Sequence, residues 1–185
     1  MTFLMKTIIE TFNQIRKVPY KIVDVEYSLV NCYDLIKANG ASCTPKHIVL
    51  ADKFNALGLK TRLCVHEFKW ADFKVNFSDK ISELMKLLPS DFHTNLEVKI
   101  DNNWIRVDAT WDDDLIEAGF PGTRDWKGKE STMNCVFSLH EYKFNSIMER
   151  NEFVKVEKEK NRINPQVESE FILELNYSFD RIRKK

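Results

Sequence analysis

The chain has 185 residues, 43% hydrophobic and 30% charged, with 28 basic side chains against 28 acidic ones. That length favours one domain and buries a core without disulfides, and the composition is that of an ordinary soluble globular protein. Zero net charge gives no electrostatic basis for binding nucleic acid or an anionic membrane, and no apolar run approaches the ~18 residues a transmembrane helix needs.

The opening MTFLMKTIIE is interrupted by Lys6 and Glu10, and no small-residue cleavage site follows. A signal peptide is not expected, and the chain reads as cytoplasmic. Leu4, Ile8, Phe12 and Ile15 recur at helical spacing over residues 3–17, and Pro19 ends that element. Val25, Leu29, Cys32, Tyr33 and Ile36 form a second stripe, stopped by Asn39-Gly40. A third helix is predicted from about Thr44 to Leu57. Leu50, Ala51, Phe54 and Leu57 form its inner side, and Gly58 is its stop. Residues 59–69 read as a strand, and 78–88 as a short amphipathic helix closed by Pro89.

In residues 93–111, HTNLEVKIDNNWIRVDATW, Leu96, Val98 and Ile100 alternate with polar residues. Asp101-Asn102 supplies a turn, and Ile105 and Val107 alternate again, which specifies a β-hairpin. Residues 112–130 read as loop and 131–140 as a further strand. From about Asn145 the chain is charged and helical, with residues 150–163 expected to be a solvated face. Asn164-Pro165 interrupts it. Val167, Phe171, Leu175, Tyr177, Phe179 and Ile182 give the last helix an apolar side. Helices followed by antiparallel strands define an α+β fold. The expected division is a domain over residues 1–145 and a charged helical extension over 146–185.

Cys32, Cys43, Cys64 and Cys135 are widely spaced, with no CxxC pair. They read as free thiols of a reducing compartment. Cys43 stands apart because Ser42 or Thr44 caps the third helix and Pro45 suits its first turn. Free backbone N–H groups and the positive end of the dipole converge there, which favours the thiolate. A free cysteine is otherwise simply a small buried residue, so a nucleophile at this position needs a base and an orienting group. A two-residue turn at Asp101-Asn102 pairs residues whose numbers sum to 203. Asn95 then opposes Asp108, Glu97 opposes Arg106, and His93 lies diagonal to Asp108 on the same side of the hairpin.

GASCTPKHIVLADKFNALGLKTRLCV, HTNLEVKIDNNW and WIRVDATW, in this order over residues 40–112, resemble the transglutaminase-like superfamily, relatives of the papain-type cysteine proteases. The resemblance implies a papain-like core, with the nucleophile-bearing helix packed on an antiparallel sheet and extra helices at the C-terminal end. It implies Cys43 as nucleophile, His93 as general base and acid, and Asp108 as the orienting carboxylate. The chemistry would be hydrolysis or acyl transfer at an amide bond of a peptide or protein, through a thioester and without a cofactor. Two residues separate Gly40 from Cys43, where the family often has one. The segment FKWADFKVNF, residues 68–77, is either a wall of the cleft or simple aromatic packing.

Three other readings compete. One is a non-catalytic protein-binding domain of the same fold. Another is a Cys2His2 metal site from Cys43, His47, Cys64 and His66, in which the first pair shares a helix side and the second a strand side. The third, an arylamine acetyltransferase, would use the same Cys-His-Asp logic, but the chain lacks an RGG-x-C-type motif.

Overall fold

The computed structural model describes residues 3–23, 25–38 and 40–184. Asn39, half of the predicted stop after the second helix, lies outside these residues. The chain folds as a mixed α+β protein: among the described residues, seven α-helices surround a four-stranded antiparallel sheet. Helix α1 (Phe3–Arg16) buries Ile8, Phe12 and Ile15, as the spacing predicts. Helix α2 (Leu29–Lys37) starts later than the apolar stripe because Ser28 caps it, accepting from the Asn31 N–H at 3.2 Å. Val25 therefore falls outside the helix. Helix α3 (Cys43–Ala56) is buried without a break from Cys43 to Ala51.

Strand β1 (Lys60–Phe68) leads through one 3-10 turn (Trp70–Asp72) to helix α4 (Asp79–Leu87). Strands β2 (Asp91–Ile100) and β3 (Asn103–Val107) form the hairpin, with Glu97 opposite Arg106 and Leu96 opposite Val107. The turn residues Asp101 and Asn102 have φ of 48° and 66°, the left-handed pair of a two-residue hairpin turn. This fixes the register that sums to 203.

Helix α5 (Asp113–Glu117) follows, inside a stretch that sequence reading leaves as loop. Strand β4 (His140–Phe144), helix α6 (Ile147–Lys160) and helix α7 (Pro165–Arg183) complete the chain. The sheet order is β3-β2-β1-β4.

The strand expected over residues 131–140 is not there; pairing begins only at His140. The backbone ahead of it bonds elsewhere. The Thr132 N–H donates to the Arg106 carbonyl and the Cys135 N–H to the Asp108 carboxylate. These bonds tie the segment across the end of the hairpin instead of into the ladder.

Two large apolar clusters and a small third one, Val65, Phe92 and Val154, divide the interior. In the first, Leu63, Leu96, Val98 and Val107 of the sheet meet Ile48, Leu50 and Phe54 of α3, with Phe12 of α1. In the second, Phe171, Leu175 and Phe179 of α7 pack on Trp111, Leu115 and Phe120. Tyr177, expected on the apolar side of α7, faces outward. Phe68, Trp70 and Phe73 belong to the second cluster, so the FKWADFKVNF segment is aromatic packing at these positions. Polar bonds also hold α7: Arg183 meets Asp112 at 2.7 Å, and Asn176 exchanges bonds with the Ile22 backbone at 2.9 and 3.0 Å.

Candidate active site

Cys43 is the first residue of α3, and its thiol sits at the positive end of the helix. Ser42 occupies the cap position but makes no capping bond; its hydroxyl turns to the Tyr27 hydroxyl, 3.3 Å away. Thr44 does not cap either, because its hydroxyl pairs with that of Thr94 at 3.1 Å. The first turn thus leaves its N–H groups uncapped by side chains.

The hairpin brings the two partners. Nε2–H of His93 donates to Oδ2 of Asp108 at 2.8 Å, which leaves Nδ1 as the nitrogen that addresses sulfur. The His93 side chain and the Thr94 backbone N–H lie near enough to the Cys43 thiol to favour its ionised form. Cys43, His93 and Asp108 therefore meet, and all three are buried.

Burial alone would push the thiol pKa up. The His93 charge and hydrogen bond, the Thr94 N–H and the charge of Arg150 overcome this and bring it below its ordinary value. Burial likewise works against a charged His93, but the Asp108 carboxylate and the Cys43 sulfur raise its pKa. For Asp108, burial is outweighed by His93, His47 and the Thr110 hydroxyl, which hold the carboxyl well below its usual range. The other cysteines behave oppositely. Burial pushes Cys32 and Cys64 up to about 12, and burial with the nearby Asp108 charge raises Cys135.

Asp108 is also held by groups that sequence reading does not assign. Its Oδ1 accepts from the Thr110 hydroxyl at 2.6 Å, and its Oδ2 from the Cys135 N–H at 3.0 Å and from Asn95 at 3.4 Å. Its own N–H donates to Thr132 at 2.8 Å. Tyr20, upstream of Cys43, stands close to the thiol, whose negative charge, after burial, raises the Tyr20 pKa. Its ring is fixed against Trp111 and Phe179.

His47 is fully buried rather than a helix-surface residue. Its Nδ1–H donates to the Cys43 carbonyl at 2.7 Å, and its Nε2 accepts the Ala109 N–H at 2.8 Å. Both ring nitrogens are occupied, so His47 has no lone pair for a metal. His66 turns Nδ1 to Ser138 at 3.0 Å. The proposed Cys2His2 set of Cys43, His47, Cys64 and His66 does not converge among the described residues. The metal-type cluster they do contain is Cys64, Glu97 and Glu141, and Lys143 already pairs with both carboxylates.

A groove of about 1510 Å³ opens over Cys43. Tyr20 and Tyr27 stand beside the thiol, and Met148 of α6 and Leu173 of α7 contribute exposed apolar groups to the far wall.

No protein-family model and no curated protein matches the chain. Among solved structures it is similar to a chain described as a candidate cysteine protease from Cytophaga hutchinsonii, with 22% identity and a TM-score of 0.40. The likeness covers 75% of this chain and 42% of that one, so this chain matches less than half of that protein's length. Among the described residues, no helix is long and apolar enough to cross a membrane.

Proposed function

We propose that this protein is a transglutaminase-like cysteine hydrolase or acyltransferase of papain-like fold, acting on an amide bond of a peptide or protein. The observation that carries the reading is the meeting of Cys43, His93 and Asp108 beside a groove that Cys43 lines, with the thiol alone among the four cysteines held below its ordinary pKa.

In this reading the thiol proton resides on Nδ1 of His93, and Cys43 Sγ attacks the amide carbonyl carbon. A C–S bond forms, and the carbonyl π pair moves onto oxygen. The Cys43 backbone N–H and the Tyr20 hydroxyl are the donors available to that oxyanion. The C–N bond breaks as the imidazolium gives its proton to the leaving amine. Asp108 stays ionised and fixes the tautomer through Nε2–H. Water, deprotonated by the neutral imidazole, then cleaves the thioester to an acid. An acceptor amine would give a new amide in its place. The groove's volume of about 1510 Å³ and the exposed Met148 and Leu173 in its lining suit peptide side chains, which favours a peptide or protein substrate over a small amine.

The test is to trap the intermediate. The protein is incubated with a panel of fluorogenic peptide amides, with and without a fluorescent primary amine, and analysed by mass spectrometry after acid quench. The expected result is an acyl adduct on Cys43, absent in C43A, with amide cleavage or amine incorporation that C43A also lacks. Cleavage that persists in C43A would overturn Cys43 as the nucleophile, and peptide binding with neither cleavage nor an adduct in the unaltered protein would favour the non-catalytic binding domain instead.

A further inference from the structure

Arg150 is the first basic residue of a helix that reads as solvated, yet it is only 4% exposed. Its side chain reaches inward from α6. Nε donates to the Thr94 hydroxyl at 3.1 Å, and Nη2 donates to the Thr94 and Thr44 hydroxyls at 2.9 and 2.8 Å. Nη1 donates to Asn151 at 3.1 Å, and the guanidinium lies 5.7 Å from the Tyr27 ring centroid. Every one of these partners is neutral. Among the described residues Arg150 pairs with no carboxylate.

A buried cation without an anion is costly, by several kcal/mol as an order of magnitude. The charged and titratable groups that face Arg150 are Cys43, Tyr27, Asp91 and Cys32. Asp91 is already engaged: Oδ1 by Lys158 at 3.5 Å and by the Phe92 N–H at 2.8 Å, Oδ2 by Trp70 at 3.0 Å. Cys32 and Tyr27 have raised pKa values, through burial above all, and stay neutral. The remaining anion is the Cys43 thiolate. The two hydroxyls that Arg150 grips lead to it: Thr44 Oγ1 is 4.0 Å from Cys43 Sγ and 3.1 Å from Thr94 Oγ1, and the Thr94 backbone lies near enough to the sulfur to favour its ionised form. The groups facing Cys43 are His93, Tyr20, Tyr27 and Arg150.

We propose that Arg150 is a positioning residue of the site: the second cation, after His93, that holds Cys43 as a thiolate, acting through the Thr44–Thr94 hydroxyl pair. This rests on Cys43 being the nucleophile. It makes α6 a part of the reacting centre, outside the segments that carry the family resemblance. The charge balance is then closed: one thiolate lies between an imidazolium and a guanidinium, with Asp108 as counter-ion to the imidazolium. Burial lowers the Arg150 pKa from its ordinary value, yet a guanidinium stays charged where an imidazolium discharges, so its support for the thiolate persists at alkaline pH.

Iodoacetamide alkylation of Cys43 needs no substrate, so it tests this proposal apart from amide turnover. At pH 6, R150Q should alkylate at Cys43 about tenfold more slowly than the unaltered protein, the change expected for about one pKa unit. At pH 10, where both thiols ionise, the rates should agree. R150K, which keeps the charge, should stay within about threefold at pH 6, where a purely structural role would predict loss in both variants. Equal pH 6 rates for R150Q and the unaltered protein would overturn the proposal. Should R150Q not fold, the unaltered protein still decides. The Arg150 Nε–H resonance should move through a pH titration with the midpoint of Cys43 thiolate absorbance, and a resonance that ignores that midpoint contradicts the assignment.

Discussion

The buried part of α3 is built from opposite chemistry in its first turn and in the turns that follow. Its later turns bury Ile48, Val49, Leu50 and Phe54 against the sheet and α1. Its first turn buries Cys43, Thr44, Lys46 and His47, every one of which finds polar partners beyond its own turn. Lys46 is the extreme case. It is 0% exposed, and its ammonium donates to the carbonyls of Arg16, Val18 and Thr110 at 2.9, 2.7 and 2.6 Å. Burial pushes its pKa down to about 7 against the pull of Asp112.

Hydrocarbon packing tolerates exchange at similar volume, whereas a satisfied polar junction fixes position because each lost bond leaves a buried orphan. The first turn therefore acts as a fixed joint between α1, α3 and the end of the hairpin, the three places that aim Tyr20, Cys43 and Asp108.

This contrast can be broken most forcefully at Asp108. D108N keeps the shape but removes the charge that fixes the His93 tautomer. In the proposed reaction the rate of acyl-Cys43 formation should fall roughly 10³–10⁴-fold, the loss that a wrong tautomer causes in Ser-His-Asp triads. A fall of less than about tenfold would mean that Asp108 is structural.

At the apolar end, Leu96 is fully buried in the first cluster. L96A should cost about 2–5 kcal/mol in denaturant unfolding, yet leave the pH profile of Cys43 alkylation in place. A shifted profile would show that the two ends are not separable.

A smaller effect belongs to His47. Burial holds its pKa near 4 against the pull of Asp108, so it stays neutral in the folded protein. In the unfolded chain it takes a proton below its ordinary value of about 6.5. The folded state thus binds fewer protons between these values, and stability falls as pH drops from about 6.5 to 4, by up to about 3 kcal/mol for this residue. H47Q should unfold at lower denaturant at pH 7, but lose less between pH 7 and pH 4.5 than the unaltered protein. Equal losses would remove His47 from the acid response.

The parts legible in sequence were those with local causes. Asp101-Asn102 fixes the hairpin register, and the register alone brings His93 beside Asp108. Pro45 marks the first turn of α3, which starts at Cys43, one residue ahead of the expected Thr44. The supports were not legible because their causes are remote. Lys46, His47 and Arg150 are charged or polar residues on helices, indistinguishable in sequence from surface positions. Their partners lie 28 to 106 residues away in the chain for Lys46 to Val18 and Arg150 to Thr44. The segment 131–139 has strand-like composition, but Thr132 and Cys135 spend their backbone and side-chain bonds on Arg106 and Asp108. Tyr20 gives no signal beyond lying upstream of the cysteine.

The central claim is that one thiol of four is activated, and a competition between the four tests it directly. The protein is treated at pH 6 with limiting iodoacetamide, and modification at Cys32, Cys43, Cys64 and Cys135 is followed by peptide mass spectrometry over time. Cys43, lowered by His93 and opening on the groove, should be modified at least about tenfold faster than each of the others. Equal rates at all four positions, or another cysteine reacting first, would contradict an activated Cys43.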